Sequence, residues 1–353
     1  MTDPRGTLAI GFTIDDRYEV LDLLGAGKYG EVYRVRDHNL DEQSALKLLR
    51  PAHDTLPTWA EAQILVRLQS EFLLPVKNAS VAQGLDLRYI TTPLAEYGDL
   101  AGLARPHGAP VRQALRWCQQ AANGLARVHD AGLLHRDIKA ENIFLASNGT
   151  ALLGDLGLAA AMDAVGTAEG DGTQYTAAPE LFKPGGRCSV RSDVYSLATT
   201  TFFVLSGVWP RGEGCSMEDI ARAAMSGTGP DLRDVAPHVP MRVAAVVRRG
   251  MSLMPEARHA NAGDFAAELG TSAQGITRDW QRTDEHSEHE MCLRAPAVGA
   301  RRAVTVCVVP AGKRWNTEIA TVPAGVRHRR LERTGIPHRQ IAAAVRSAIG
   351  QLQ

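Results

Sequence analysis

His135-Arg-Asp-Ile-Lys-Ala-Glu-Asn142 runs into the apolar Ile143-Phe-Leu145, then Asn148-Gly149, then Leu152-Leu-Gly-Asp155. An Asn-Gly pair between apolar runs is the strongest short-range signal for a two-residue hairpin turn. With Asn148 and Gly149 as that loop, antiparallel register sets Asn142 opposite Asp155. A carboxamide and a carboxylate then stand together at the open end of the hairpin. Two hard oxygen ligands suit Mg²⁺, which keeps some waters and completes its shell from substrate phosphates. Asp137 lies within reach of the same place and is of the right type to accept the proton of an attacking hydroxyl. Lys139 can neutralise a phosphoryl group as it transfers. The bland alternative, a polar surface hairpin, accounts for none of these pieces jointly.

Upstream, Tyr18–Leu24, Glu31–Val35 and Ser44–Leu49 read as strands. The loop Gly25-Ala-Gly-Lys-Tyr-Gly30 lies between the first two. Glycines let backbone N–H groups approach phosphates closely. A dinucleotide fold would place a helix after the third glycine, and here a strand follows. A plain hairpin turn is the alternative for this loop taken alone. In the third strand, alternation puts Ala45 and Lys47 on one face, a small residue beside a cation. A helix around Trp59–Leu68 carries Glu61, a candidate partner for Lys47. Past about Leu100 the pattern turns helical: Val111, Leu115, Cys118, Ala122, Leu125 and Val128 recur at three and four residues, with Gly132 placed to stop the helix. Asp193 reads as the N-cap of a second helix that Gly207 and Pro210 end.

In these motifs the chain resembles the eukaryotic-like protein kinase family, in its bacterial serine/threonine branch. The resemblance covers about Tyr18 to Leu269. Gly25, Gly27 and Gly30 match the glycine-rich loop, Lys47 the strand lysine and Glu61 the glutamate of the αC helix. His135-Arg136-Asp137 matches HRD, Asp155-Leu156-Gly157 stands in the place of DFG, and Ala178-Pro179-Glu180 matches APE. Leucine in place of phenylalanine keeps an apolar plug. Arg258 resembles the arginine that pairs with the APE glutamate. Lys139 and Thr173 are the serine/threonine-type marks, and Thr173 is expected to contact Asp137 and Lys139. The resemblance implies ATP and Mg²⁺ (Mn²⁺ as a substitute), with Asn142 and Asp155 as metal ligands. The implied nucleotide site consists of Leu24, Gly25, Ala26, Gly27, Gly30, Val32, Ala45, Lys47, Thr92, Leu94, Glu96, Asn142 and Asp155. The gatekeeper falls at Thr91 or Thr92, and adenine contacts come from Leu94 to Glu96. The implied catalytic set is Lys47, Glu61, Asp137, Lys139 and Asn142.

The expected fold class is α+β: a bilobal protein-kinase fold, then a small C-terminal β+α domain. Residues 1–17 form a lead-in and 18–270 the kinase domain. Its small lobe, an antiparallel sheet plus the αC helix, spans about 18–93, and its mainly helical lobe about 97–270. A linker follows over 271–295, then the β+α domain over 296–353. In that last part Ala303–Val309 and Glu318–Val322 read as strands and Arg339–Leu352 as a helix.

Regulation is expected at the segment from Asp155 to Glu180. Arg136 often meets a phosphorylated residue there, and Thr167 is the leading autophosphorylation position because Thr173 is expected to be structural. The competing source of negative charge for Arg136 is Glu169 or Asp171.

The 353 residues include 44% hydrophobic and 22% charged, an ordinary globular balance, and the formal net charge is zero, so charge favours no class of partner. Five scattered cysteines without a C-x-x-C pair fit reduced thiols better than disulfides or a zinc site. No apolar run suits a membrane span and the N-terminus lacks a signal-peptide pattern, so a cytoplasmic protein is expected, acting on protein substrates. Residues 271–353 hold thirteen Lys/Arg against seven Asp/Glu. A basic face that docks on the acidic remainder, or that serves nothing specific, is favoured there over a nucleic-acid surface, because stacking aromatics are nearly absent, Trp315 aside. His286 and His289 read as part of a solvated charged run rather than a metal site. Two other functions compete. An ATP-binding pseudokinase scaffold working through the basic tail has no need of all four of Lys47, Asp137, Asn142 and Asp155. A small-molecule phosphotransferase has no need of the Gly172-Thr173 to Glu180 platform.

Overall fold

Alternating apolar residues build the first sheet. The computed structural model describes residues 7–27, 30–49, 59–85, 87–211 and 214–352. Strands β1 (Thr13–Ile14), β2 (Tyr18–Gly27), β3 (Gly30–Asp37) and β4 (Glu42–Leu49) precede helix α1 (Ala60–Leu68), and β5 (Asn78–Ala82) and β6 (Leu87–Pro93) follow it. They form one antiparallel sheet in the order β1-β2-β3-β4-β6-β5. Tyr33, Val35, Leu46, Leu48 and Tyr89 fill the core on one face. The period of two leaves Val32, Ala45 and Lys47 for the other. The register pairs Val32 with Lys47 and Ala45 with Thr92. Three strands thus place these side chains side by side.

The helical part opens with α2 (Leu100–Ala104) and α3 (Val111–Asp130). Along α3, Val111, Ala114, Leu115, Cys118, Ala122, Leu125 and Val128 share the buried face. Short strands follow: β7 (Leu133–Leu134), β8 (Ile143–Leu145), β9 (Ala151–Leu153), β10 (Ala160–Ala161), β11 (Thr167–Glu169) and β12 (Arg187–Ser189). Helix α4 (Val190–Ser206) is buried almost all round. It tolerates Thr199, Thr200, Thr201 and Ser206 there because each hydroxyl donates to the carbonyl four residues back, at 2.8–2.9 Å. Helices α5 (Met217–Ser226), α6 (Leu232–Val235), α7 (Met241–Gly250) and α8 (Ala262–Ala273) complete this part.

Three expectations are corrected here. Asp193 does not cap α4. Ser189 does, through a reciprocal capping box with Ser192, and Asp193 lies inside the first turn at 2% exposure. The β8–β9 hairpin pairs Ile143 with Leu153, one residue off the expected register. Its turn is longer because the Asn148 side chain accepts from the Thr150 N–H and only Gly149 takes positive φ, at 80°. A two-residue type I′ turn needs both central residues there. Asn142 is therefore level with Gly154, whose N–H donates to the Asn142 carbonyl.

The third correction concerns 271–295. The segment read as a linker contains the end of α8 and strands β13 (Gln281–Thr283) and β14 (Met291–Ala295). With β15 (Ala303–Ala311) and β16 (Arg314–Val322) they make a four-stranded antiparallel sheet, backed by helix α9 (Ile341–Leu352). Trp280, Leu293, Val306, Val308, Ile319 and Val345 form its own core. The polar Gln281-Arg-Thr283 can be a strand because β13 is an edge, paired only with β14. Within this unit, His286 is exposed, as a solvated run would have it, and His289 is half-buried. Their ring nitrogens and the sulfurs of Cys292 and Cys307 all lie within 4.8 Å of one another. Far apart in sequence, the two cysteines are opposite each other in the β14–β15 ladder.

The unit abuts the helical part. The Asp279 carboxylate accepts from the Arg112 N–H at 2.8 Å, and Arg346 on α9 donates to the Arg233 carbonyl at 2.6 Å. No helix among the described residues is long and apolar enough to cross a membrane.

Candidate active site

A cleft of about 970 Å³ separates the first sheet from the helical part. Leu24, Gly25, Ala26, Gly30, Val32, Ala45 and Lys47 line it from the sheet, and Asp137, Lys139, Asn142, Asp155 and Thr173 from below. Leu74 and Phe144 also line it, residues the sequence reading did not single out. Gly27 ends β2 opposite Gly30. Gly30 has to be glycine: at φ 149° an added Cβ would lie 2.0 Å from the Leu48 carbonyl oxygen.

At the inner edge, Thr92 and Leu94 line the cleft. Thr91 pairs with Leu46 and by alternation faces the opposite side, which separates the two gatekeeper positions. Glu96 does not line the cleft. The chain turns there, with the Gly98 N–H on the Ala95 carbonyl, which leaves Glu96 exposed and puts Ala95 and Gly98 on the wall. Glu61 is on α1, but its side chain lies outside the described part, so its pairing with Lys47 does too. The Lys47 ammonium sits 2.6 Å from Asp155 Oδ1.

Asp155 adopts a left-handed backbone, φ 55°, which turns its carboxylate off the β9 line and into the cleft. Burial alone would raise its pKa; the Lys47 ammonium, with His135 and Lys139 further off, outweighs this and holds it below the usual carboxylate range. Deep as it lies, its side chain keeps 35% of its surface open to the cleft. Asn142 spends its amide nitrogen on the Asp137 carbonyl at 2.8 Å and the Asp137 carboxylate at 3.2 Å. Its amide oxygen is the atom left for a cation.

Asp137 is 6% exposed and held from both sides. Oδ1 accepts the Thr173 N–H at 2.9 Å and hydroxyl at 2.6 Å. Oδ2 accepts Lys139 Nζ at 2.8 Å, and the same ammonium reaches Thr173 Oγ1 at 3.0 Å. The close approach of Thr173 depends on Gly172, where a Cβ at φ 115° would fall 2.0 Å from the Arg136 carbonyl oxygen.

Asp193 supports this loop from beneath. Its carboxylate accepts the N–H groups of His135 and Arg136 at 2.8 and 3.0 Å and contacts His129 Nε2 at 2.9 Å. Sequence reasoning missed this role. The available signal was the lone carboxylate of α4, a helix with no other acidic residue, where burial demands partners. Asp193→Asn is expected to destabilise the protein by about 1–3 kcal/mol, since one of three donors loses its acceptor. Urea unfolding checks this, and a midpoint equal to that of the unchanged protein would refute the anchoring role.

Arg136 is engaged by backbone oxygens: its Nε donates to the Leu158 carbonyl at 2.6 Å and Nη1 to that of Glu169 at 3.0 Å. The Thr167 hydroxyl is elsewhere, 2.9 Å from Asp163 Oδ2 and 2.8 Å from Arg187 Nε. The structure therefore does not bring Arg136 and Thr167 together.

Residues 18–240 match the family described as protein kinase domain. Among curated relatives, serine/threonine-protein kinase PknE of Mycobacterium tuberculosis (strain ATCC 25618 / H37Rv) is 31% identical over 309 residues, 84% of this chain and 52% of the relative. PknH of M. tuberculosis (strain CDC 1551 / Oshkosh) is 32% identical over 292 residues, 79% of this chain and 45% of the relative. PknD of the same strain is 30% identical over 260 residues, 70% and 38%. The chain spans about half the length, or less, of these relatives.

Proposed function

The chain belongs to the protein kinase domain family, and from that premise we propose that it transfers the γ-phosphate of Mg-ATP to serine and threonine hydroxyls of protein substrates, itself included. One observation carries the reading. Lys47, Asp137, Lys139, Asn142 and Asp155 line a single cleft whose roof carries Gly25 and Ala26 from β2 and Gly30 from β3.

The residues fit the groups this reaction needs. The Asp155 carboxylate and the oxygen of Asn142 are hard donors of the kind Mg²⁺ takes, with Mn²⁺ as a substitute. When bound, the metal supplies charge neutralisation at the phosphates. Ala45, Val32 and Leu24 give the wall an apolar stretch beside Thr92 against which a purine can pack, and Leu94 and Ala95 offer backbone groups at its edge. Lys47 is placed to hold phosphate oxygens, steadied by Asp155. Asp137 orients the acceptor hydroxyl and takes its proton. Lys139 offsets charge on the transferring group, and Thr173 fixes the rotamer of Asp137. Little covalent chemistry is asked of the protein, so positioning and electrostatics supply the rate. The alternative, a pseudokinase scaffold, has no observation in its favour.

Thr167 stays the leading autophosphorylation position, now with Arg187 rather than Arg136 as the cation at hand. Residues 280–352 act in this reading as a separate C-terminal β+α domain that docks on the helical lobe.

The test is transfer of labelled phosphate from ATP by the purified chain, followed by phosphosite mapping. Removing divalent cations is expected to abolish transfer and added Mg²⁺ to restore it. The Asp155→Asn variant is expected to stay inactive at any Mg²⁺ concentration. Full transfer in chelator, or by Asp155→Asn, would overturn the proposed metal role.

A further inference from the structure

We propose that His286, His289, Cys292 and Cys307 form a closed four-ligand zinc site that fastens the β13–β14 loop to the C-terminal sheet. The β14–β15 register sets Cys292 directly across from Cys307, with the sulfurs 3.2 Å apart and both thiols free. The loop after Thr283 turns back on itself, the His289 N–H on the His286 carbonyl at 3.2 Å. That turn brings the two imidazoles to 4.5 Å between centroids and aims both at the sulfurs. His286 Nδ1 lies 3.3 Å from Cys292 Sγ and 3.7 Å from Cys307 Sγ, and His289 Nδ1 lies 3.2 Å from Cys292 Sγ.

These four separations, 3.2–3.7 Å, come close to a tetrahedron's edges, and the remaining pairs of ligand atoms lie within 4.8 Å, so a bound ion needs the sulfurs to part by only about half an ångström. With Zn–S of about 2.3 Å and Zn–N of about 2.0 Å, neighbouring ligand atoms are separated by roughly 3.3–3.8 Å. Two nitrogens and two sulfurs select a borderline-soft ion over Mg²⁺ or Ca²⁺, which take oxygens. Two thiolates balance the charge of a dication, so the site is neutral when filled. The cysteines are buried on the sheet and the histidines close it from the solvent side. Four protein ligands leave no open position, the arrangement of a structural rather than a catalytic zinc. The competing use of this pair is a disulfide, but bonded sulfurs stand only about 2.05 Å apart and have no call on two imidazoles. The loop so fastened also carries Asp284, whose carboxylate meets His107 of the helical part. Ordering the loop therefore bears on how the C-terminal unit is held against the rest of the chain.

The experiment uses the full chain, free of any histidine tag, from zinc-supplied cells. Elemental analysis is expected to give about one zinc per chain, falling at least tenfold in the Cys292→Ser/Cys307→Ser variant, while Cys215→Ser, which alters an exposed thiol outside the cluster, keeps it. Cobalt(II) exchanged into the unchanged protein is expected to show the visible bands and thiolate charge-transfer absorption of a tetrahedral thiolate complex. Should the double variant not fold, His286→Gln, which leaves both sulfurs in place, is expected to weaken zinc retention against a chelator and to alter the cobalt spectrum. Zinc-free protein that gives no tetrahedral cobalt spectrum would overturn the proposal, as would a Cys292–Cys307 disulfide mapped in fresh protein. Phosphate transfer measured on the same samples reports separately on the cleft, so failure of either reading leaves the other standing.

Discussion

Asp137→Asn is expected to lower phosphate transfer by roughly 10²–10⁴-fold, the range a positioned general base contributes, with the fold and nucleotide affinity retained. The substitution keeps the shape of the side chain and removes its basicity. It also turns one acceptor into a donor. Every neighbour of the carboxylate is a donor: the Thr173 N–H and hydroxyl on one oxygen, the Lys139 ammonium and Asn142 amide on the other. Whichever way the new amide is oriented, its NH₂ faces a donor. The acceptor hydroxyl then loses its proton acceptor, and Thr173 and Lys139 lose the group they steady. In the proposed reading adenine and phosphate contacts come from other elements, so a fluorescent nucleotide is expected to bind as before. Initial rates with labelled ATP, set beside nucleotide affinity and the unfolding midpoint, make the check. A rate within tenfold of the unchanged enzyme would remove Asp137 from the role given to it.

Much of this cleft was legible because its chemistry is local in sequence. Lys47 and Ala45 share a face by the period of two alone, and Asp137, Lys139 and Asn142 lie within six positions. What sequence misjudged depended on competition between alternatives. Asn148-Gly149 signals a tight turn, but the Asn148 side chain can also satisfy the Thr150 N–H, and that option shifts the register by one. Asn142 and Asp155 nonetheless line the same cleft, because the left-handed backbone at Asp155 reorients its carboxylate. Asp193 and Ser189 are both good caps. Only the tertiary demand of two buried N–H groups decides that Asp193 turns inward. Cys292 and Cys307 become neighbours through ladder register, which no local pattern encodes.

Arg258→Ala is expected to cost about 3–5 kcal/mol, the penalty for breaking a buried ion pair from one side. The Arg258 side chain is fully buried, against 19% exposure for its partner Glu180. All five of its N–H donors are used. Two go to the Glu180 carboxylate, each at 2.7 Å. The others go to the carbonyls of Ser252 at 2.8 Å, Arg191 at 2.9 Å and Leu253 at 3.1 Å. The guanidinium also stacks 4.8 Å from the centre of the Tyr195 ring. Removing it takes the arginine donors from three carbonyls and strips Glu180 of its counter-charge, leaving that carboxylate the Ser192 hydroxyl at 2.9 Å. Glu180 lies in the stretch that follows Thr173, so the loss is also expected to loosen the hold on Asp137 and reduce transfer. A fall of roughly 6–20 °C in melting midpoint is expected for a unit of this size. Arg258→Lys is expected to recover only part of it, since three donors on a flexible stem replace a planar fork of five. Arg248→Ala, which alters a 71% exposed partner of Asp231, is the control and is expected to change little. The pair also sets an acid limit. Burial would raise the Glu180 carboxyl, but the Arg258 bonds outweigh it and hold it below the ordinary glutamate value. A lowered pKa contributes stability that is complete above the ordinary value and is lost as pH falls through the lowered one. The midpoint difference between the unchanged protein and Glu180→Gln should therefore shrink on acidification. A difference that stays constant with pH, or an Arg258→Ala midpoint within a degree or two of the Arg248→Ala control, would show that this pair does not hold the segment in place.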